Sequence, residues 1–168
     1  MSSLELGVIG NANINALIRA DGEICWACLP RVDSDAVFCS LLRERGGEND
    51  FGFLTLEMTG LARTEQFYLP HTPILVTRLY DDKGGALEIT DFAPRFRQFE
   101  RLFSPCQLVR SVRPLAGSPR VRLLVRPAED YGRLRRPSTW GSNHVRYAGS
   151  DYSFRLTTDC SLDRKSVV

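Results

Sequence analysis

No stretch of the 168-residue sequence approaches the roughly 20 consecutive apolar residues of a membrane span, and Met1-Ser2-Ser3-Leu4-Glu5-Leu6 carries no basic segment ahead of an apolar one. A membrane or export role is therefore not expected. The five cysteines are odd in number and irregularly spaced, which points to reduced thiols in the cytoplasm and not to a disulfide framework. Histidine is scarce too, occurring only at 71 and 144, so Cys25-x-x-Cys28 finds no second close pair of ligands among Cys39, Cys106, Cys160, His71 and His144. No structural zinc and no cofactor are expected. A redox reading of Cys25 and Cys28 fails on geometry, because residues three apart on a strand face opposite ways and neither thiol opens a helix.

A dominant charge is missing as well. The 22 basic and 20 acidic residues leave a net charge of +2, which gives no large field of one sign to hold a nucleic acid or an anionic membrane. Lysine occurs only at 83 and 165, so the basic residues are almost all arginine, the side chain that grips phosphates and stacks on bases. The matching acids undercut that use. Arg95-Phe96-Arg97-Gln98-Phe99 and Arg133-Leu134-Arg135-Arg136 are read as polar loops. Internal repeats and low-complexity tracts are also absent.

What the sequence does contain is period-2 alternation. Val121, Leu123 and Val125 alternate with Arg120, Arg122, Leu124 and Arg126, and Ile74 to Tyr80 and Ala86 to Phe92 flank Asp81-Asp82-Lys83-Gly84-Gly85, a hairpin loop by composition. Further strands are expected over 51–58, 63–69, 107–112, 143–147 and 152–157. Ala16 to Ile18 and Glu23 to Trp26 flank Asp21-Gly22, a tight-turn pair, and Pro30 ends the second of these runs in a loop that presents Arg31 and Asp33. One short helix is expected, capped by Asp33 or Ser34, carrying Val37, Phe38, Leu41 and Leu42 as a stripe and ending at Gly46-Gly47. With 43% hydrophobic residues the chain can bury a single core. The expected fold is an all-β antiparallel β-sandwich of nine or ten strands with one short helix; a doubly wound α/β fold is excluded. Residues 163–168 show no closing strand, so residues 1–168 are expected to form one domain that is incomplete at its C-terminal end.

Five motifs occur in a familiar order. They are Ile9-Gly10-Asn11 through Trp26-Ala27-Cys28-Leu29-Pro30-Arg31-Val32-Asp33-Ser34, then Val37-Phe38-Cys39-Ser40-Leu41-Leu42, Glu65-Gln66-Phe67-Tyr68-Leu69-Pro70-His71-Thr72, Glu88-Ile89-Thr90-Asp91-Phe92-Ala93-Pro94-Arg95, and Arg126-Pro127-Ala128-Glu129-Asp130-Tyr131-Gly132. Together they resemble the N-terminal β-sandwich (super-sandwich type) of bacterial glucoamylases and trehalases of glycoside hydrolase family 15. Cys25, Val32 and Asp35 depart from the family's pattern, which has an aromatic at the second position and commonly proline at the third.

The resemblance implies a parent enzyme that cleaves α-glucosides (trehalose, maltooligosaccharides or dextrin ends) with inversion, using two carboxylates on a catalytic (α/α)6 barrel that this chain does not contain. The chain alone is then non-catalytic, with that barrel as its partner, the glucoside as an indirect one, and self-association expected when the barrel is missing. Trp26, Pro30, Arg31, Asp33, Ser34, Arg95 and Arg97 become candidates for the domain interface or the rim of the sugar pocket, Arg31 and Asp33 foremost as donor and acceptor for barrel backbone or sugar hydroxyls. Trp26 sits within an apolar strand and is expected to pack in the sandwich core. Two other classes compete with this reading. A free-standing carbohydrate-binding module is distinguished by glucan affinity of the chain alone, and an arginine-rich nucleic-acid binder by salt-sensitive binding of oligonucleotides.

Overall fold

The computed structural model describes residues 5–42 and 50–160. In chain order its strands are β1 (Gly7–Gly10), β2 (Asn15–Ile18), β3 (Ile24–Cys28), β4 (Ala36–Phe38), β5 (Phe53–Met58), β6 (Leu61–Tyr68), β7 (Leu75–Asp81), β8 (Ala86–Phe92) and β9 (Phe96–Gln98). They continue as β10 (Arg101–Phe103), β11 (Val109–Ala116), β12 (Val121–Arg126), β13 (Ala128–Glu129), β14 (Leu134–Arg135), β15 (Ser138–Trp140), β16 (His144–Ala148) and β17 (Ser153–Thr157). The fold is all-β, as the alternation implies. No described helix is long and apolar enough to cross a membrane.

One sheet runs β1-β2-β3-β5-β12 with β4 also on β3, and a second runs β11-β8-β7-β6. Leu56 and Met58 of β5 meet Leu79, Leu87 and Ile89 of β7 and β8 in one buried cluster, so the two sheets face each other across an apolar layer. A larger cluster joins Ile18, Ile24 and Val125 of the first sheet to Val145 and Tyr147 of a three-stranded sheet, β15-β16-β17. The β7–β8 hairpin closes as expected. The Asp81 carboxylate accepts the amides of Lys83 and Gly85 at 2.9 and 2.6 Å, and Gly84 takes the left-handed φ of 84° that the turn requires. Across the second sheet Glu65, Arg78, Glu88 and Arg113 stand side by side on four neighbouring strands, a ladder of alternating charge.

Three expectations need correction. The expected helix is replaced by strand β4, whose Ala36 and Phe38 pair with Cys28 and Ala27, followed by a single 3-10 turn at Ser40–Leu42. The reason lies in the backbone: the amides of Cys39 and Ser40 both donate to the carbonyl of Gly52, at 2.8 and 3.0 Å, so they are drawn across to the start of β5. The Gly46-Gly47 stop lies outside the described residues, as do residues 163–168. The segments 95–101 and 133–139 are not irregular loops but carry β9, the start of β10, β14 and part of β15. Their strands are too short for alternation to register.

Candidate functional site

The turn between β1 and β2 organises one edge of the molecule. Asn11 is buried, and its amide is fully used: Oδ1 accepts the backbone amides of Asn13 and Ile14 at 3.1 and 3.2 Å, while Nδ2 donates to the carbonyls of Pro94 and Pro105 at 2.9 and 2.8 Å. Those two carbonyls bracket the β9–β10 hairpin. Asn13 adds a bond from its Nδ2 to the Ser104 carbonyl at 2.7 Å, and its own carbonyl accepts the amide of Val32 at 3.2 Å. One turn therefore clamps both the hairpin and the loop after β3.

The hairpin is a two-stranded ribbon paired with no other described strand, and all six of its strand residues are exposed. Phe96 and Phe103 stack with ring centroids 5.7 Å apart, and at the tip Phe99 is 86% exposed. Phe99 and Glu100 have φ of 50° and 60°, the left-handed values that a two-residue hairpin turn demands and that Asn-Gly supplies with less strain. Arg95 and Arg97 are exposed and make no ion pair with any described residue.

The loop after β3 begins at the cis peptide Leu29–Pro30. Arg31 grips Asp33 with two bonds, Nε to Oδ1 at 2.9 Å and Nη2 to Oδ2 at 2.6 Å, yet the two side chains remain 72% and 62% exposed. Such a pair adds little stability but holds a donor and an acceptor in fixed places on the surface. Ser34 closes the turn, its amide donating to the Arg31 carbonyl at 3.1 Å. Trp26, on the strand that leads into this loop, is half-buried against Cys28, Ala36, Cys39, Phe51 and Ala128. Burial pushes the Cys25 thiol up to about 11 and raises that of Cys28, which disfavours the thiolate form.

Asp35 leads to a second feature. Its carboxylate accepts the amides of Asp130 and Tyr131 at 2.6 and 3.2 Å, and both residues, with Gly132, have left-handed φ. Successive amides turned to one side form a nest for an anion, and here the anion is a side chain of the chain itself. Beside the nest, Glu129 Oε1 accepts the amide and hydroxyl of Ser150 at 2.7 and 2.6 Å, and these bonds hold the Glu129 carboxyl below its usual range. Arg136 is buried, donating from Nε to Ala128 O at 3.0 Å and from Nη1 to Tyr152 O at 3.2 Å. Between this group and the Pro30–Asp35 loop lies a half-open crevice of about 210 Å³.

Asn11 falls within the first of the five motifs, yet local pattern assigns no role to it or to Asn13; the Asn-x-Asn spacing of Asn11-Ala12-Asn13 is the signal the sequence offers for this turn. Nothing in the sequence marked Arg136 as buried. Two further acids serve the fold: Asp91 takes a two-bond grip from Arg110 at 2.7 and 2.9 Å, and Glu65 accepts the Tyr80 hydroxyl. No three histidine, cysteine or acidic side chains among the described residues converge as metal ligands.

Residues 4–160 match the family described as trehalase-like, N-terminal. Over 89 residues the chain is 36% identical to a trehalase of Thermoplasma volcanium, a match covering 52% of this chain and 14% of that protein. It is 30% identical over 117 residues to the trehalase of Thermoplasma acidophilum, covering 68% and 19%. A trehalase of Mycolicibacterium smegmatis matches at 28% identity over 162 residues, covering 88% of this chain and 22% of that one. The chain thus spans between 14% and 22% of the length of these relatives. No solved structure matches it.

Proposed function

The chain belongs to the trehalase-like N-terminal family, and from that membership we propose that it is the non-catalytic domain of an α-glucoside hydrolase, docking on a catalytic (α/α)6 barrel and shaping the rim of its sugar pocket. The parent would act on trehalose or on maltooligosaccharide and dextrin ends, as a glucoamylase or trehalase does. One observation carries the reading. The Asn11–Asn13 turn ties the Pro30–Ser34 loop and the β9–β10 hairpin into one edge, and that edge projects Phe99, Arg31, Asp33, Arg95 and Arg97, all exposed among the described residues.

A strained turn that exposes a large aromatic is costly unless another surface receives it. That the relatives are several times longer than this chain supports a receiving surface in the part of such proteins that this chain does not span. The five free thiols suit a reducing, cytoplasmic compartment.

The test uses the 168-residue chain and the catalytic barrel of its parent enzyme, mixed as separate proteins. Association is expected by analytical ultracentrifugation, weakened by Arg31→Ala and Phe99→Ala, and the chain alone is expected to release no glucose from trehalose or maltooligosaccharides. Failure of the unmodified chain to associate, or steady glucose release from it, overturns the reading.

A further inference from the structure

The three-stranded sheet turns Val145, Tyr147, Phe154 and Leu156 inward to the core. Strand alternation therefore sets Thr139, Arg146 and Arg155 in one cross-strand row on its outer face, and all three are exposed. The second sheet shows what this chain does elsewhere with arginines in such a row: Glu88 stands between Arg78 and Arg113 and accepts from both, at 2.9 and 2.8 Å. The row on the three-stranded sheet holds no acid. Arg146 and Arg155 are directly opposite each other, a like-charge pair that costs stability on neighbouring strands, and neither makes an ion pair with any described residue.

Arg146 leans instead toward a hydroxyl, its Nη2 donating to Ser153 Oγ at 3.1 Å. That bond occupies a lone pair of Ser153 and leaves the hydroxyl hydrogen free to donate. Two guanidinium forks and one O–H thus share one side of the sheet, and all are donors. Asp151 in the β16–β17 turn and Asp159 beyond β17 pair with neither arginine. A cation is repelled by such a set, whereas an oxyanion accepts from every member. A carboxylate has one charge and two oxygens, which a single guanidinium fork satisfies. A phosphate group carries about −1.5 to −2 as a monoester near neutral pH and has oxygens for a fork on each side.

We infer that this outer face is a binding site for a phosphate group, free or at the end of a larger molecule, bridging Arg146 and Arg155 as Glu88 bridges Arg78 and Arg113. The site needs no barrel and is separate from the docking edge. The experiment is an amide-resolved NMR titration of the 168-residue chain with inorganic phosphate, sodium chloride holding the ionic strength constant. Saturable shifts confined to residues 144–148 and 153–157 are expected, with a Kd on the order of 1 mM because both forks are solvated. A parallel titration with glycerol 3-phosphate separates the sources: the same shifts assign the site to a phosphate monoester, and shifts with inorganic phosphate alone assign it to the free ion. Arg155→Ala is expected to weaken binding about tenfold, the worth of one charged hydrogen bond, while Arg122→Ala, which removes the same charge from an exposed position on β12, leaves it unchanged. Arg155→Glu is expected to abolish binding and to melt higher than the unmodified chain in phosphate-free buffer, because it sets an opposite charge across from Arg146. Shifts that do not saturate, that spread over other arginines, or that persist in Arg155→Glu overturn the site.

Discussion

Truncating Asn11 to alanine removes an amide that satisfies two backbone N–H groups and two carbonyls at a buried position. At about 1 kcal/mol net per bond, and more where a partner stays buried and unpaired, the expected loss is about 2–4 kcal/mol, measured by urea denaturation. Asn11→Asp keeps the acceptor and loses both donors, so it is expected to free the hairpin while sparing part of the turn. Arg31→Ala and Asp33→Ala fall at the other extreme. Their ion pair is solvated, and each change is expected to alter stability by less than about 1 kcal/mol, so any loss of barrel association reports the interface and not the fold.

Glu88 adds a pH-dependent term. Burial pushes its carboxyl up, but bonds from Arg78 at 2.9 Å and Arg113 at 2.8 Å outweigh burial and hold it below the usual range. A folded value below the unfolded one stabilises the chain above the ordinary carboxylate range, and that stability drains away as pH falls through the lowered value. Glu88→Gln is expected to lower stability at neutral pH and to flatten its decline in acid, read from melting temperature against pH.

Among the elements, the β9–β10 hairpin is built against its own preference at an exposed tip. Replacing Phe99-Glu100 by Asn-Gly relieves two left-handed residues, at roughly 1 kcal/mol or more each, so the double variant is expected to melt higher than the unmodified chain. It is also expected to dock less well. A variant that is both less stable and equally good at docking contradicts the assignment.

The elements differ in how far the sequence disclosed them. β7 and β8 were legible because seven residues each, a patterned core face and a glycine turn all agree. β4 was not: Val37, Phe38, Leu41 and Leu42 fall on one helical stripe, and three residues of strand cannot outvote that spacing. The loop after β3 was found through Pro30, but what assembles the edge around it was hidden. Asn11 reaches partners 83 and 94 positions away, and Asp35 reaches amides 95 and 96 away, distances over which local pattern carries no information.

At the scale of the whole molecule, the uncovered hairpin and the strand β17 at the margin of its three-stranded sheet are both templates for association. Self-association of the chain alone is expected, seen by light scattering over a concentration series and suppressed by Phe99→Ser. A monomer at every concentration that binds no hydrophobic dye argues for a finished surface.

The Asn11 clamp also sets an order of events during synthesis. The turn between β1 and β2 emerges from the ribosome early, yet the Asn11 amide can close only after Pro105 has emerged, and the Asp35 bridge must wait for Tyr131. The edge proposed as a docking surface is therefore a late product of folding, governed by long-range closure. In pulse-labelling hydrogen exchange the amide of Val32, bonded to Asn13, is expected to gain protection with the slow phase, after the β7–β8 hairpin has formed. A nascent chain arrested before Pro105 has the turn but no edge, and hence nothing to offer a partner.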